Sequence, residues 1–338
     1  MFIGADRLVR LFSESAGVYC RSYSMPLQRV ITDFGSDVSF QDATAKIKEH
    51  YGVDVPASMA RLVTEKHAES MLKSIDSLQV PNKPLHAPKQ IIAETDGSMV
   101  PIVNINNEFE GDKRKTRSTA WCEARLALAR PKGAATSRVS AIIGTTDEAG
   151  AQLLRVADAV GRDKCSHIHG VGDGAPWIYD QFDKQFGNSG EFLIDFYHVS
   201  EYLAKAALCC DPSHSTTWFH EQQRLLKENK IDSVLANLES HINSPDQKEH
   251  ACDAAKCHQY ITNRPNQFNY KNALEQDLPI GSGEIESAHR SVIQKRLKMP
   301  GGWWLKEIAA AMLALRTVRA NGFWNAYWPK YSYREAVG

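Results

Sequence analysis

The chain has 338 residues, with 40 basic and 40 acidic side chains, 43% hydrophobic and 24% charged content. That length supports a sizeable core of two or three subdomains, and the composition is that of an ordinary globular protein. No apolar run approaches the ~18–20 residues needed to cross a bilayer. The opening MFIGADRLVRLF carries an early acid and no apolar h-region, which argues against a signal peptide. The seven cysteines (Cys20, Cys122, Cys165, Cys209, Cys210, Cys252, Cys257) are odd in number and lack a disulfide-scaffold spacing. Reduced thiols and a cytoplasmic location are therefore expected. The zero net charge decides nothing about nucleic acid, because metal-holding acids and a basic backbone-binding surface can cancel.

Residues 1–38 show patchy amphipathicity and no clear motif. The stretch VSFQDATAKIKEHYGVDVPASMARLVTEKHAESMLKSI reads as helix, turn, helix. Phe40, Ala43, Ile47 and Tyr51 recur at helical spacing, Gly52 breaks the run, and Pro56 opens a second helix carrying Met59, Leu62 and Val63. This pattern fits a helix-turn-helix whose second helix enters a major groove; it fits two simply packed helices equally well. VPNKPLHAPKQ reads as a Pro-rich linker.

From Gln90 the pattern becomes β. IIAETDGSMVPIV reads as strand, turn, strand, and the basic tip GDKRKTRSTAW leads into a third strand, AWCEARLALARP. A fourth, VSAIIGTT, precedes the helix DEAGAQLLRVADAVGR, with Asp147 or Thr146 as its cap. HIHGVGD and EFLID then give two further strands, each followed by a helix. Residues 211–275 are helical and polar, with WFHEQQRLLKENKIDSVLANLESHI as the clearest helix. After PIGSG a helix starts near Glu284 and runs to Pro300-Gly301-Gly302, and an apolar helix closes the chain. The expected organisation is a helical region over 1–80, core over 81–210, a helical insertion over 211–278, and core completion over 279–338. The fold class is α/β, a ribonuclease-H-like mixed sheet with a helical insertion and an N-terminal helical region.

An Asp-Gly pair is usually a turn. Asp96 and Asp173, however, each follow an apolar strand, and sites in open α/β sheets gather beyond strand carboxyl ends. Two such carboxylates, with a Glu from a later helix, suit phosphoryl transfer on two ions held roughly 3.5–4 Å apart. Hard oxygen ligands select Mg²⁺ or Mn²⁺. Spacing alone leaves the third acid open between Glu284 and Glu286. Glu286 shares a helical face with Arg290, and Lys295, Arg296 and Lys298 follow; that face could meet a phosphate backbone, or be a capped surface helix. The tip residues Lys113, Arg114, Lys115 and Arg117 are candidates for sequence-independent phosphate contacts. Trp303 and Trp304 read as core rather than base-stacking. His250, Cys252, Cys257 and His258 read as helix packing rather than a zinc site.

The run PIGSGEIESAHRSVIQKRLKMPGGWW, with TDGSMVPI, GDGAPWI and DFYHVSEYL upstream, resembles bacterial insertion-sequence DDE transposases, distantly related to the Mutator-like superfamily. The likeness covers roughly residues 90–330. It implies Asp96, Asp173 and Glu286 as catalytic and metal-holding residues, with the Glu chosen for its place before Ser287. Asp195 and His198 resemble that superfamily's Asp-x-x-His motif and are expected near the site. Double-stranded DNA (the element's ends and its target) and a homodimer or larger assembly are the implied partners. The implied activity is cleavage at the element's ends and 3′-hydroxyl strand transfer. The rivals are a metal-dependent nuclease that never joins ends and a non-catalytic DNA-binding descendant. The segment before Asp96 is shorter than such enzymes usually devote to end recognition.

Overall fold

The computed structural model describes residues 2–4, 7–9, 18–19, 23–78, 86–106, 108–242 and 251–328. The Pro-rich linker lies largely outside them. Two short antiparallel pairs come first, β1 (Phe2–Gly4) with β2 (Arg7–Val9) and β3 (Val18–Tyr19) with β4 (Tyr23–Ser24). Helix α1 (Met25–Asp37) follows where no motif was legible. Its inner face carries Gln28, Thr32 and Ser36, all nearly fully buried, so its period is helical but its residue types are polar. Each finds a partner: Gln28 Nε2 donates to the Tyr23 carbonyl at 2.8 Å, Thr32 Oγ1 to the Gln28 carbonyl at 2.7 Å and Ser36 Oγ to the Asp33 carbonyl at 2.7 Å.

The expected helix pair forms as α2 (Phe40–Tyr51) and α3 (Ala57–Leu78). Ser39 caps α2, and Gly52 ends it at φ 66°, a conformation glycine adopts without strain. Ala43 and Ile47 are buried, while Tyr51 and Leu62 face solvent. The inner face of α3 supplies Ala68 and Met71 to a core shared with the C-terminal helix.

The main sheet has the order β7-β6-β5-β8-β9, from β5 (Gln90–Asn104), β6 (Ser118–Pro131), β7 (Arg138–Ile142), β8 (His167–Gly172) and β9 (Gly190–Ile194). β5, β6 and β7 form an antiparallel meander, and β8 and β9 add in parallel to β5. This is a mixed α/β fold with a ribonuclease-H-like sheet. One expectation is corrected: Asp96-Gly97 is no turn. β5 runs unbroken through it, paired residue for residue with β6 from Ile91↔Pro131 to Asn104↔Ser118. Gly97 is there for space, because a Cβ would lie 2.0 Å from Glu123 Oε1 on the neighbouring strand.

Helices α4 (Thr146–Ala159) and α5 (Pro176–Phe186) link the parallel strands. The cap of α4 is Thr145, not Asp147 or Thr146. Thr145 and Glu148 form a reciprocal capping box. The insertion follows as α6 (Phe196–Cys210), α7 (Ser215–Lys227), α8 (Ile231–Ile242), α9 (Ala251–Thr262) and α10 (Tyr270–Glu275). The stretch expected as one helix is broken into α7 and α8 at Asn229, whose φ is 59°. The insertion is also less polar than its sequence suggested. Leu226, Val234, Cys257 and Tyr270 join the sheet's α4/α5 face in one core. His250 and the side chain of Cys252 lie outside the described residues. Cys257 is fully buried, its thiol pushed up to about 12 by burial, and His258 Nε2 sits 3.0 Å from Glu239.

On the other face lies α11 (Gly283–Ala288), which continues through a π-helical turn (His289–Gln294) into α12 (Lys295–Leu297). Then come α13 (Lys306–Ala320) and α14 (Trp324–Tyr327). Ile285, Val292, Leu297 and Met312 pack there on Val100, Leu126 and Leu128. Among the described residues no helix is long and apolar enough to cross a membrane.

Candidate functional site

Strand register relates the positions of the acids. β5 pairs β8 from Gln90↔His167 to Glu94↔Val171, an offset of 77 (167 − 90), the separation of Asp96 from Asp173 (173 − 96). β8 pairs β9 from Ile168↔Gly190, an offset of 22 (190 − 168), the separation of Asp173 from Asp195 (195 − 173). Asp96 stands two residues past the last β5–β8 pair, Glu94↔Val171, while Asp173 and Asp195 are the first residues beyond the ends of β8 and β9. Strand side chains alternate between faces. Glu94 and Asp96 share the face that packs on α11 through Leu126 and Leu128, the partners of Asp96 and Glu94 on β6.

Near these strand ends opens a cavity of about 690 Å³ lined by Glu94, Asp173, Asp195, His198, Glu201, Glu284, Glu286, Arg130, Arg290 and the 279–283 loop, with Asp96 outside its lining. Three of its acids are occupied in holding α11. Asp195 Oδ2 accepts from Ser282 N at 2.7 Å and from the Ser282 hydroxyl, while its Oδ1 caps α6 by accepting from Tyr197 N and His198 N. Glu94 Oε2 accepts from Ile285 N at 2.8 Å. Burial, reinforced by the nearby Glu284 carboxylate, pushes the Glu94 carboxyl up to about 8 despite that bond, so it is protonated near neutral pH. Glu284 is ion-paired with Arg130 at 2.6 Å.

Asp173 and Glu286 are left with no cationic partner among the described residues. Among the described residues Asp173 Oδ1 accepts only from Ala175 N, at 2.9 Å. Its loop is pinned from the insertion: Tyr260 Oη donates to the Asp173 carbonyl at 2.7 Å, and Arg264 Nε and Nη2 donate to the Gly174 carbonyl. Glu286 is exposed, and its carboxylate makes no hydrogen bond or ion pair among the described residues. Asp96 is placed differently. Its Oδ1 accepts from Gly97 N at 2.7 Å, and its Oδ2 lies 3.2 Å from Nε2 of the buried His289. Among the described residues no three His, Cys, Asp or Glu side chains stand close enough to hold a metal ion.

The basic candidates separate. Arg290 lines the cavity and is exposed. Lys295 faces solvent and pairs with Asp37 at 3.0 Å. Arg296, expected on the same surface, is buried instead; its Nε donates to the Gly35 carbonyl, and its guanidinium lies over the Phe40 and Trp304 rings. Burial, helped by the nearby Arg316, lowers its pKa to about 10. Lys115 and Arg117 are exposed, and the side chains of Lys113 and Arg114 lie outside the described ones. This tip follows Asn104, roughly 26 Å along β5 from Asp96 at ~3.3 Å per residue. Trp304 is core as expected, but Trp303 is partly exposed against Trp121 at 6.1 Å.

Sequence reasoning missed Glu94, Arg130, Tyr260, Arg264, Ser282 and His289. Two of these carried a signal: Glu94 stands two residues before Asp96 on the same strand face, and His289 three after Glu286 on the same helix face.

The five-stranded mixed sheet gives this chain a ribonuclease-H-like α/β fold. The chain belongs to an uncharacterised protein family, UPF0236, whose model matches residues 156–328. That span holds Asp173, Asp195, His198, Glu286 and His289, and Asp96 precedes it. No curated protein matches the chain.

Proposed function

We propose that the protein is a DDE-type DNA transposase that cuts DNA at the ends of an element and joins the freed 3′-hydroxyl to target DNA. The observation carrying this reading is that Asp173, beyond the end of β8, and Glu286, on α11, line one acidic cavity, with Asp96 on the adjoining strand β5 just past its pairing with β8. The donor set suits a hard cation, since all three groups are carboxylates from separate elements. The residues that would hold Mg²⁺ or Mn²⁺ are Asp96, Asp173 and Glu286. Two ions bound there would polarise the scissile phosphate and steady the leaving oxygen. Arg290, on the cavity wall, would take a non-bridging phosphate oxygen or the adjoining backbone. Lys115 and Arg117 lie far enough away to meet flanking duplex DNA. Paired ends imply a dimer or larger assembly on DNA.

The test uses DNA carrying the sequences that flank the coding region, pre-cut to expose 3′-hydroxyls, with Mn²⁺ and a supercoiled target. Joined products support transposition, and cutting without joining selects the hydrolytic nuclease. The resting contact of Asp96 with His289 favours one further reading, a non-catalytic DNA-binding protein on the same fold. Duplex binding without any Mn²⁺-dependent cutting would select that reading.

A further inference from the structure

His289 is 2% exposed, yet neither ring nitrogen has an aligned hydrogen-bond partner. Buried polar groups are nearly always satisfied, so an orphan at a site asks for a reason. Nε2 approaches Asp96 Oδ2 to 3.2 Å, close but not aligned. The ring enters on the first residue of the π-helical turn, and such turns recur where a helix re-aims a functional side chain. The same helix carries Glu286, three residues earlier, into the acidic cavity. One rigid element thus presents a carboxylate to the cavity and an unsatisfied imidazole to the β5 acid beside it.

We propose that His289 is the positioning residue for Asp96, donating Nε2–H to Oδ2 and so setting how tightly the cavity takes a divalent cation. This rests on the metal-dependent reading above. In the described arrangement the Asp96 carboxylate is held between the Gly97 amide and His289, which fixes its plane at the strand. Donors behind a ligating group restrict its orientation, and their loss typically weakens metal binding ~10–100-fold.

The experiment is calorimetric titration of the full chain with Mn²⁺, using His289→Leu and His289→Gln, each also combined with Asp96→Asn. The Leu variant is expected to bind Mn²⁺ ~10–100-fold more weakly. The Gln variant, whose amide reaches the Nε2 position, should stay within a few-fold of the parent. In the Asp96→Asn background the two should match, because a positioning effect needs the group it positions. Equal binding by Leu and parent, or a loss on His289→Leu that persists in the Asp96→Asn background, would overturn the assignment alone. No Mn²⁺ binding by the parent protein would overturn the metal-dependent reading and this assignment together. If His289→Leu does not fold, His289→Phe replaces it, keeping a ring without the donor.

Discussion

Asp195 and Ser282 are 87 residues apart in sequence and joined by two hydrogen bonds from the serine, through its amide and its hydroxyl, to Asp195 Oδ2. The helical insertion thus leaves the sheet and returns to it at one carboxylate. Because Ser282 immediately precedes α11, the same contact sets where Glu286 emerges. Replacing Asp195 with Ala removes the cap of α6 and leaves the buried Ser282 amide without an acceptor. A loss of about 2–4 kcal/mol is expected from the two effects together. Asp195→Asn, which retains one acceptor oxygen, should lose less, and chemical denaturation of the three proteins checks the order.

Gly97 is expected to accept a side chain only if the Glu123 carboxylate swings aside, a reason unrelated to turns. A Cβ there meets Glu123 Oε1 at 2.0 Å and Cδ at 2.7 Å, and Glu123 is itself tied to Arg125. Gly97→Ala should cost about 1 kcal/mol or less, the Glu123–Arg125 pairing being what yields. Combining it with Glu123→Ala should recover most of that loss, which thermal unfolding of the single and double variants would show.

His67 anchors α3 to the C-terminal segment. Its Nε2 lies 3.0 Å from Gln28 Oε1 and its Nδ1 2.9 Å from Tyr327 Oη. Burial, with the nearby Lys66 charge adding to it, lowers its pKa from 6.5 to about 4. The folded state resists protonation while the unfolded state accepts it. The stability from this group is therefore present above pH ~6.5 and lost as pH falls through ~4, on the order of 3 kcal/mol across that window. His67→Gln should flatten the dependence between those limits. Denaturant midpoints at pH 4.5 and pH 7 would measure the difference.

Much of this architecture is legible in the sequence because its elements obey simple periods. β6, β8, β9 and α13 follow from apolar alternation or apolar runs closed by turn residues. The failures are specific. Asp96-Gly97 reads as a turn because turn chemistry is local, whereas continuity through β6 is a tertiary fact. Helix α1 is hidden because Gln28, Thr32 and Ser36 occupy core positions that only their hydrogen bonds make tolerable. Arg296 reads as a surface base, but its stem and guanidinium fill space between Phe40 and Trp304. Within the candidate site, motif order nominates Asp96 and Asp173, and the family resemblance, not spacing, nominates Glu286 over Glu284. Neither reaches their supports Glu94, Arg130 and His289, since pairings such as Arg130 with Glu284 cross more than 150 residues of chain.

Glu284 and Glu286, which spacing could not separate, have different surroundings and should give different phenotypes. Glu284 is bound to Arg130 at 2.6 Å, so its charge is spent on a neighbour within the protein. Glu286 reaches the cavity with no such partner among the described residues. On the proposed function, Glu286→Gln should reduce Mn²⁺-dependent cutting by ~10²-fold or more, as losing one charged site group typically does, with little effect on the unfolding midpoint. Glu284→Gln should show the reverse: a lower midpoint, because Arg130 loses its counter-charge in a half-buried setting, and a smaller loss of cutting. Measuring both quantities on both variants distinguishes the two acids, and equal losses of cutting would remove Glu286 from its special place.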